Sequence, residues 1–323
     1  MKKTLAGVFA LLCATCNAVH AQTAANFPLK SVRVVVPYPP GGGTDTIGRP
    51  MAQRLAENTR QQFIIDNRGG AGGNIGAEVV AKSPADGYTL LLGNAGPLTI
   101  NPSLLKKMPY DAQRDLLPIV MVSASPMVLV VHPSLPVKTV RELVAFARPR
   151  AGQINYASAG VGNLQHLAME HLQALSGTRL NHVPYKGAAP AFIDVIAGQC
   201  SLMFANITGA MTHINSGRVR PIAVSSAKRA AVLPKVPGIA ETYPEFDITT
   251  WVGIFAPSGL PRELATRMQS DFMAVLARTD VRERIASQGG EVLAASGEQL
   301  AAHIRKETAL YAKVVQSSGI KPE

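Results

Sequence analysis

The sequence predicts an α/β protein with mainly parallel sheets. Short apolar runs rich in β-branched residues alternate with amphipathic stretches, as in residues 32–36 followed by residues 44–57. Strands that are apolar at successive positions are typical of parallel sheets covered on both faces, and their alternation with helices indicates βαβ units. The chain has 323 residues, which favours two lobes because single cores seldom exceed about 250–300 residues.

The first part of the chain predicts three strands and two helices. Residues 32–36, 63–65 and 89–92 are the strands, and a turn at 83–87 precedes the third. A helix from Thr44 or Asp45 to Glu57 carries an apolar stripe of Ile47, Met51 and Leu55. A second glycine-rich stretch, residues 69–76, opens another short helix.

The rest of the chain continues the alternation. Strands are predicted at 128–131, 154–157 and 251–256, with further strand and helix units near 180–198, 201–216 and 219–232. Capping boxes at Thr139–Glu142 and Ser296–Gln299 start helices that end near 147 and 315, and Pro261 starts another. With no long linker, two lobes would be joined by short, hinge-like crossings.

The N-terminus predicts export. Lys2 and Lys3 precede an apolar stretch at 5–13, and Val19-His20-Ala21 fits a signal peptidase site, so cleavage is expected after Ala21. Two alternatives compete with this interpretation. A membrane anchor would need about 20 apolar residues, roughly twice those present. A lipid on Cys16 is the other, although Thr15 and Cys13 suit that processing poorly.

Charge and cysteine content limit the partners of the mature chain. The formal net charge of +11 falls to +9 without Lys2 and Lys3. This charge is compatible with acidic ligands and also with mere solubility. Export, scattered cations and only 5% aromatic residues argue against nucleic acid. Cys200 would be the only mature cysteine, so neither an internal disulfide nor a cysteine-based zinc cluster is expected.

Two glycine-containing loops suggest anion binding. Residues 39–45 and 158–163 each follow an apolar strand and lead directly into a helix. A helix N-terminus offers unpaired N–H groups and partial positive charge, and glycine allows close approach to that backbone. Such turns can also merely reverse the chain. If the two loops face one another, they would hold a ligand with an anionic group at each end.

Motifs for nucleotides, catalysis and metals are absent or incomplete. No Walker A sequence occurs, and the glycines around 70 and 160 do not fit a dinucleotide fingerprint. Ser158 lacks the glycine of a nucleophile elbow, and Ser225–Lys228 matches S-x-x-K without its companion motif. His166 and Glu170 have no evident third metal ligand. Asp45 is interpreted as a helix cap rather than a general base. We expect no cofactor, no metal and no enzymatic activity.

Seven sequence motifs together resemble the substrate receptors of tripartite tricarboxylate transporters, also called the Bug family of periplasmic binding proteins. They occur in the family's order across essentially the whole mature chain. They are VPYPPGGGTD at 36–45, NRGGAGGNIG at 67–76, DGYTLL at 86–91, NPSL at 101–104, YASAGVG at 156–162, HVPYKG at 182–187 and WVGIFAP at 251–257.

The resemblance implies a type II periplasmic-binding-protein fold, with a ligand cleft between two α/β lobes. Residues 1–21 would be the signal peptide, 22–125 and 250–323 the first lobe, and 126–249 the second. It also implies a small carboxylate ligand, such as a dicarboxylate, tricarboxylate or acidic amino acid. The implied ligand contacts are Tyr38, Gly41, Gly42, Gly43, Asp45, Asn94, Ala95, Ser158, Gly160, Asn163 and Asn206.

Two departures from the family pattern leave the ligand open. Ser201 and Ala205 stand where relatives often have acids, and Asn94 to Pro97 replaces a hydroxyl-rich segment. Three functions remain: a monomeric periplasmic receptor that delivers its ligand to membrane permease subunits, an orphan receptor that presents it to a sensor protein, and a secreted enzyme on the same fold. The missing catalytic motifs disfavour the enzyme.

Overall fold

The computed structural model describes residues 26–41, 43–185, 187–287 and 289–320. The signal peptide and Gly42 lie outside these ranges. The strands are β1 Val32–Val36, β2 Phe63–Asn67, β3 Thr89–Asn94, β4 Leu116–Val131, β5 Asn155–Ser158, β6 Asn181–Pro184, β7 Leu202–Asn206, β8 Arg220–Val224, β9 Thr249–Pro257 and β10 Glu291–Ser296.

The α-helices alternate with these strands. They are α1 Gly43–Thr59, α2 Asn74–Ala81, α3 Asn101–Leu104, α4 Ala112–Asp115, α5 Val140–Ala147, α6 Leu164–Ser176, α7 Ala188–Ile196, α8 Ile207–Asn215, α9 Arg262–Leu276, α10 Thr279–Ser287 and α11 Gly297–Ser318. Thr139 caps α5 by accepting a hydrogen bond from the Glu142 amide, and Ser296 and Gln299 form the expected capping box of α11. Helix α9 begins one residue after Pro261.

Two groups of strands share the long strand β4. The first has the order β2-β1-β3-β9-β4, with β10 also paired to β4. The second has the order β4-β7-β5-β6, with β8 also paired to β4. Pairing with β9 ends at Pro126 and pairing with β7 begins at Met127, so β4 passes from one group to the other between these residues.

The sheets are mixed, which corrects the expectation of mainly parallel pairing. Strand β1 is parallel to β2 and β3, and β5 is parallel to β6 and β7. Every pairing made by β4 and β9 is antiparallel. The sequence pattern does not predict the first half of β4, because polar and proline positions interrupt its apolar run. The unit near 219–232 contains β8 but no α-helix.

Apolar side chains cover both faces of each strand group. In β3, Leu90 and Leu92 belong to one cluster and Leu91 to another. In β4, Leu129 and Val128 lie on opposite faces in the same way. This explains the nearly continuous apolar strands in the sequence. Among the described residues, no helix is long and apolar enough to span a membrane.

Candidate functional site

A cleft of about 1300 Å³ lies where the carboxyl ends of the parallel strands meet β4 and β9. Ligands of open α/β sheets commonly bind at this edge. Residues from both strand groups line it: Tyr38, Pro39, Pro40, Gly41, Gly43, Thr44, Ile47, Asn94, Ser123, Ser125, Pro126, Gln165, Ala188, Ala189, Phe192, Ile193, Ile196, Met203, Ala205, Asn206, Ile207, Thr208, Gly209, His213, Arg218, Thr250, Trp251, Val252 and Gly289.

Tyr38 and Asn94 meet on one wall of the cleft. They follow β1 and end β3, which are adjacent parallel strands, and the Tyr38 hydroxyl donates to Asn94 Oδ1 at 2.7 Å. Burial raises the pKa of Tyr38 to about 12, although the bond to Asn94 opposes the rise. The phenol is therefore a neutral donor at physiological pH. The adjacent Ala95 is buried and does not line the cleft.

Asp45 holds the first glycine loop in place. Its carboxylate is buried in the first turn of α1 and accepts hydrogen bonds from the Gly41 amide at 2.9 Å, Arg49 Nε at 2.9 Å and Asn67 Nδ2 at 3.1 Å. Burial would raise the pKa of Asp45, but these bonds outweigh it and hold the pKa below its ordinary value. Asp45 thus reaches back to the loop from within the helix and does not line the cleft, whereas Gly41 and Gly43 do.

The second glycine loop, residues 158–163, lies outside the lining of the cleft. None of its residues lines the cavity, although Gln165 in α6 does. Asn163 Oδ1 accepts from the His166 amide at 2.9 Å, so this side chain caps α6. A Cβ on Gly162 would lie 2.5 Å from Leu104, which packs the loop against the other strand group. At this helix N-terminus Asn163 Oδ1 is therefore engaged by the His166 amide, whereas Asn163 Nδ2 is buried without a hydrogen-bond partner among the described residues.

Within this loop, Ser158 and Gly160 contact a cluster of histidine rings and one another. Ser158 Oγ lies 2.7 Å from His182 Nε2 and donates to the Gly160 carbonyl. The rings of His166 and His182 stack with centroids 3.8 Å apart, and the Gly162 amide donates to His166 Nδ1. Ser158 is fully buried, so its hydroxyl shapes the loop and is not open to a ligand.

Two other helix N-termini line the cleft. Ala188 and Ala189 begin α7, and Ile207, Thr208 and Gly209 begin α8. Asn206 precedes α8, is exposed and makes no capping hydrogen bond with its side chain, so its amide group faces the cleft unengaged. Asn206 is the residue of this terminus that the family resemblance implies as a ligand contact. The sequence predicts strand and helix units near 180–198 and 201–216 but does not indicate that residues of α7 and α8 line the cleft.

The lining combines apolar side chains with neutral polar groups. Ser123, Ser125, Thr208 and Thr250 contribute hydroxyl groups. Arg218 is the only arginine or lysine that lines the cleft in the described part of the chain, and no aspartate or glutamate does. The described residues also contain no group of three or more His, Cys, Asp or Glu that could hold a metal ion.

The expected contact residues thus fall into three groups. Those that line the cleft are Tyr38, Gly41, Gly43, Asn94 and Asn206. Those that lie elsewhere are Asp45, Ala95, Ser158, Gly160 and Asn163. Gly42 lies outside the described residues, between two that line the cleft.

Residues 47–320 match the sequence model of the tripartite tricarboxylate transporter family receptor. The chain belongs to this family. The family is a solute-binding one and not an enzymatic one, and its receptors are periplasmic. The earlier resemblance is therefore confirmed, and so is the expectation of a binding protein rather than an enzyme.

Three similar proteins cover nearly the whole receptor. BugT of Bordetella pertussis is 35% identical over 319 residues, which are 98% of each chain. A structure of Rpa4515 from R. palustris with adipate is 35% identical, covers 92% of this chain and 100% of that one, and has a TM-score of 0.77. MatC of Rhodopseudomonas palustris with bound malate is 29% identical, covers 90% and 100%, and has a TM-score of 0.73. The fold of the receptor is the type II periplasmic-binding-protein fold.

Proposed function

We propose that the receptor captures a small organic carboxylate in the cleft, and that the lining carries this assignment. Three helix N-termini, of α1, α7 and α8, contribute to the walls, while the described lining contains no acidic side chain. Helix N-termini favour anions, and the absence of like charge leaves that preference unopposed. Adipate in Rpa4515 and malate in MatC support a carboxylate ligand.

The expected contact residues would contribute to this proposed site in different ways. The backbone of Gly41 and Gly43 and the side chains of Tyr38, Asn94 and Asn206 would contact the ligand. Asp45 would act indirectly, because it fixes Gly41 through a hydrogen bond. Ala95, Ser158, Gly160 and Asn163 would support the walls from behind. Gly42 remains a proposed contact from its position in the sequence.

The ligand would bind between two lobes that close on it. Residues 22–125 and 250–323 would form one lobe and 126–249 the other, because the pairing of β4 changes at Pro126–Met127 and β9 begins at Thr249. Ser225 ties the crossings together: its hydroxyl accepts from the Met127 amide at 2.8 Å and donates to the Ile248 carbonyl at 2.6 Å. A ligand drives closure by as much as it prefers the closed state.

Two exchanges of asparagine for alanine test the site. Asn206→Ala should weaken carboxylate binding about 10- to 150-fold, since a hydrogen bond to a charged group contributes about 1.5–3 kcal/mol. Asn163→Ala removes the same group from outside the cleft and is the matched control. A thermal-shift screen over small carboxylates would find the ligand, because a ligand at 100 times its Kd stabilises the fold by about 2.7 kcal/mol. Titration calorimetry would then compare the variants. The proposal fails if no carboxylate binds the wild type.

Export and transport complete the proposed role. The signal sequence predicts a mature chain that begins at Gln22, delivers its ligand to membrane permease subunits of a tripartite transporter and acts as a monomer. Intact mass of the periplasmic protein tests the cleavage, and retention of Lys2 or lipid on Cys16 would contradict it. Loss of ligand uptake on deletion of the receptor, restored by the wild type, tests the coupling. Unchanged uptake with capture of a sensor protein would instead indicate a sensory role.

A further inference from the structure

The cleft continues into an apolar groove between α7 and α8. Phe192, Ile193 and Ile196 from α7, Ile207 from α8 and Met203 from β7 all line the same cavity. Ile193 is 64% exposed, a large fraction for an isoleucine in a folded chain. Apolar walls of this kind suit the hydrocarbon body of a ligand. The groove therefore extends the cleft beyond what a compact acid such as malate would fill.

Two basic side chains stand at the far end of this groove. His213 in the last turn of α8 and Arg218 both line the cavity, and the Arg218 amide donates to the His213 carbonyl at 2.9 Å. Since a helix rises about 1.5 Å per residue, His213 lies about 9 Å along α8 from Ile207. Val131, the last residue of β4, pairs with Arg220, which likewise places Arg218 away from the crossing strands.

Neither basic side chain is fully engaged within the protein. Among the described residues, none forms a hydrogen bond or salt bridge with the Arg218 guanidinium. Nδ1 of His213 is buried without a hydrogen-bond partner in the same part of the chain, and its ring lies 5.0 Å from that of Phe192. An unpaired cation in a cleft whose described lining has no other charged side chain gives that end a positive potential, which concave surfaces concentrate.

We infer that this end of the cleft is a second anion-binding subsite, in which Arg218 and His213 receive an anionic group at the far end of an elongated ligand. The inference rests on the proposed function and narrows it to a ligand with an apolar body and two anionic ends. One carboxylate lies at the helix N-termini near the crossing strands, and the other at Arg218. The guanidinium donates hydrogen bonds to both oxygens of the distal carboxylate, the bidentate geometry that arginine favours.

Acids of equal length but different charge test this subsite. Titration calorimetry compares suberate with octanoate, and adipate with hexanoate, on the wild type and on Arg218→Ala. The wild type should bind each dicarboxylate more tightly than its monocarboxylate. Arg218→Ala should weaken the dicarboxylates about 3- to 10-fold, because the arginine is exposed and solvent screens its charge, and leave the monocarboxylates unchanged. Higher salt should reduce the dicarboxylate advantage in the wild type more than in the variant.

Control variants separate a local effect from a general loss of charge. Arg141→Ala removes an exposed cation from α5, which does not line the cleft, and should bind every acid as the wild type does. Arg218→Gln is a second variant, which removes the charge but keeps a polar side chain longer than that of alanine. Equal effects of Arg218→Ala and Arg141→Ala, or equal losses for both classes of acid, would overturn the subsite alone. Failure of all four acids to bind the wild type would overturn the carboxylate function together with it.

Discussion

The buried carboxylate of Glu307 accepts a hydrogen bond from the indole N–H of Trp251 at 2.8 Å. Thr99 donates to the same oxygen at 2.9 Å and Tyr311 to the other at 3.1 Å. Trp251 lines the cleft, while Glu307 lies in α11, which packs against Leu167 of α6. Glu307 therefore connects a wall of the cleft with α11, the helix that contacts both strand groups.

Replacing this carboxylate should destabilise the fold. In Glu307→Leu the buried donors of Trp251 and Tyr311 lose their acceptor, while Thr99 keeps the Ala95 carbonyl at 3.0 Å. An unsatisfied buried polar group costs about 1–3 kcal/mol. The free energy of unfolding should fall by at least about 2 kcal/mol, whereas Glu307→Gln keeps one acceptor oxygen and should lose less. Urea unfolding followed by circular dichroism measures both. Equal stability of the leucine variant and the wild type would contradict this role.

Ligand binding should change the fluorescence of the receptor. Trp251 is the only tryptophan in the chain and lines the cleft, so its indole senses whatever fills that space. Addition of a bound carboxylate should shift or quench its emission, with a midpoint that matches the Kd from calorimetry. Trp251→Phe should abolish the signal. An unaltered spectrum under saturating ligand would place the ligand away from Trp251.

Asn163 should affect stability more than binding. Loss of an N-cap costs about 0.5–2 kcal/mol, and Asn163→Ala removes the cap of α6. Asn163→Asp and Asn163→Ser keep a capping oxygen and should restore most of the loss. Thermal unfolding gives the stability and calorimetry the affinity. A tenfold loss of affinity at unchanged melting temperature would instead make α6 a ligand-binding terminus.

The cleft should discriminate against amines. No acidic side chain lines it in the described part of the chain, so the ammonium group of aspartate would lose water without gaining a partner. Succinate should therefore bind at least about tenfold more tightly than aspartate, equivalent to about 1.4 kcal/mol. Ala205→Asp should weaken succinate and narrow this difference, since the new carboxylate repels the dianion and attracts the ammonium. Tighter binding of aspartate by the wild type would refute the prediction.

The buried histidine pair should make stability depend on pH. Burial lowers the pKa of His166 and of His182 to about 4, and the nearby His182 adds to the effect on His166. Both lie well below the usual value of 6.5, so between pH 6.5 and 4 the unfolded chain binds protons that the folded one does not. The free energy of unfolding should fall as pH falls through this window.

Glu170 in the same cluster has the opposite sign. Burial raises its pKa, although hydrogen bonds from Tyr156 and Gln173 oppose the rise, so its protonation favours the folded state as pH falls. The difference between wild type and His182→Gln isolates the histidine contribution. The variant should lose less stability from pH 7 to 4.5 than the wild type, while His132→Gln, outside the cluster, should behave as the wild type. Parallel pH profiles for His182→Gln and the wild type would rule out the histidine pair as the cause.

Local pattern was sufficient for most of the elements and for one wall of the site. Gly41 and Gly43 could be located because a β-branched strand, a glycine loop and a helix follow one another within residues 32–59. The same reasoning selected the loop at 158–163, none of whose residues lines the cleft. Both loops carry the same local signal, and only packing, such as that of Gly162 against Leu104, distinguishes them.

By itself the sequence determined the α/β class, the family and the positions of most strands and helices, because these depend on periodicity, caps and turns within short segments. The tertiary structure decided which helix termini meet at the cleft. It also decided the dual membership of β4 and the partnership of Trp251 with Glu307, 56 residues apart. Such contacts depend on how segments far apart in the sequence pack against each other, and local propensity does not determine that packing.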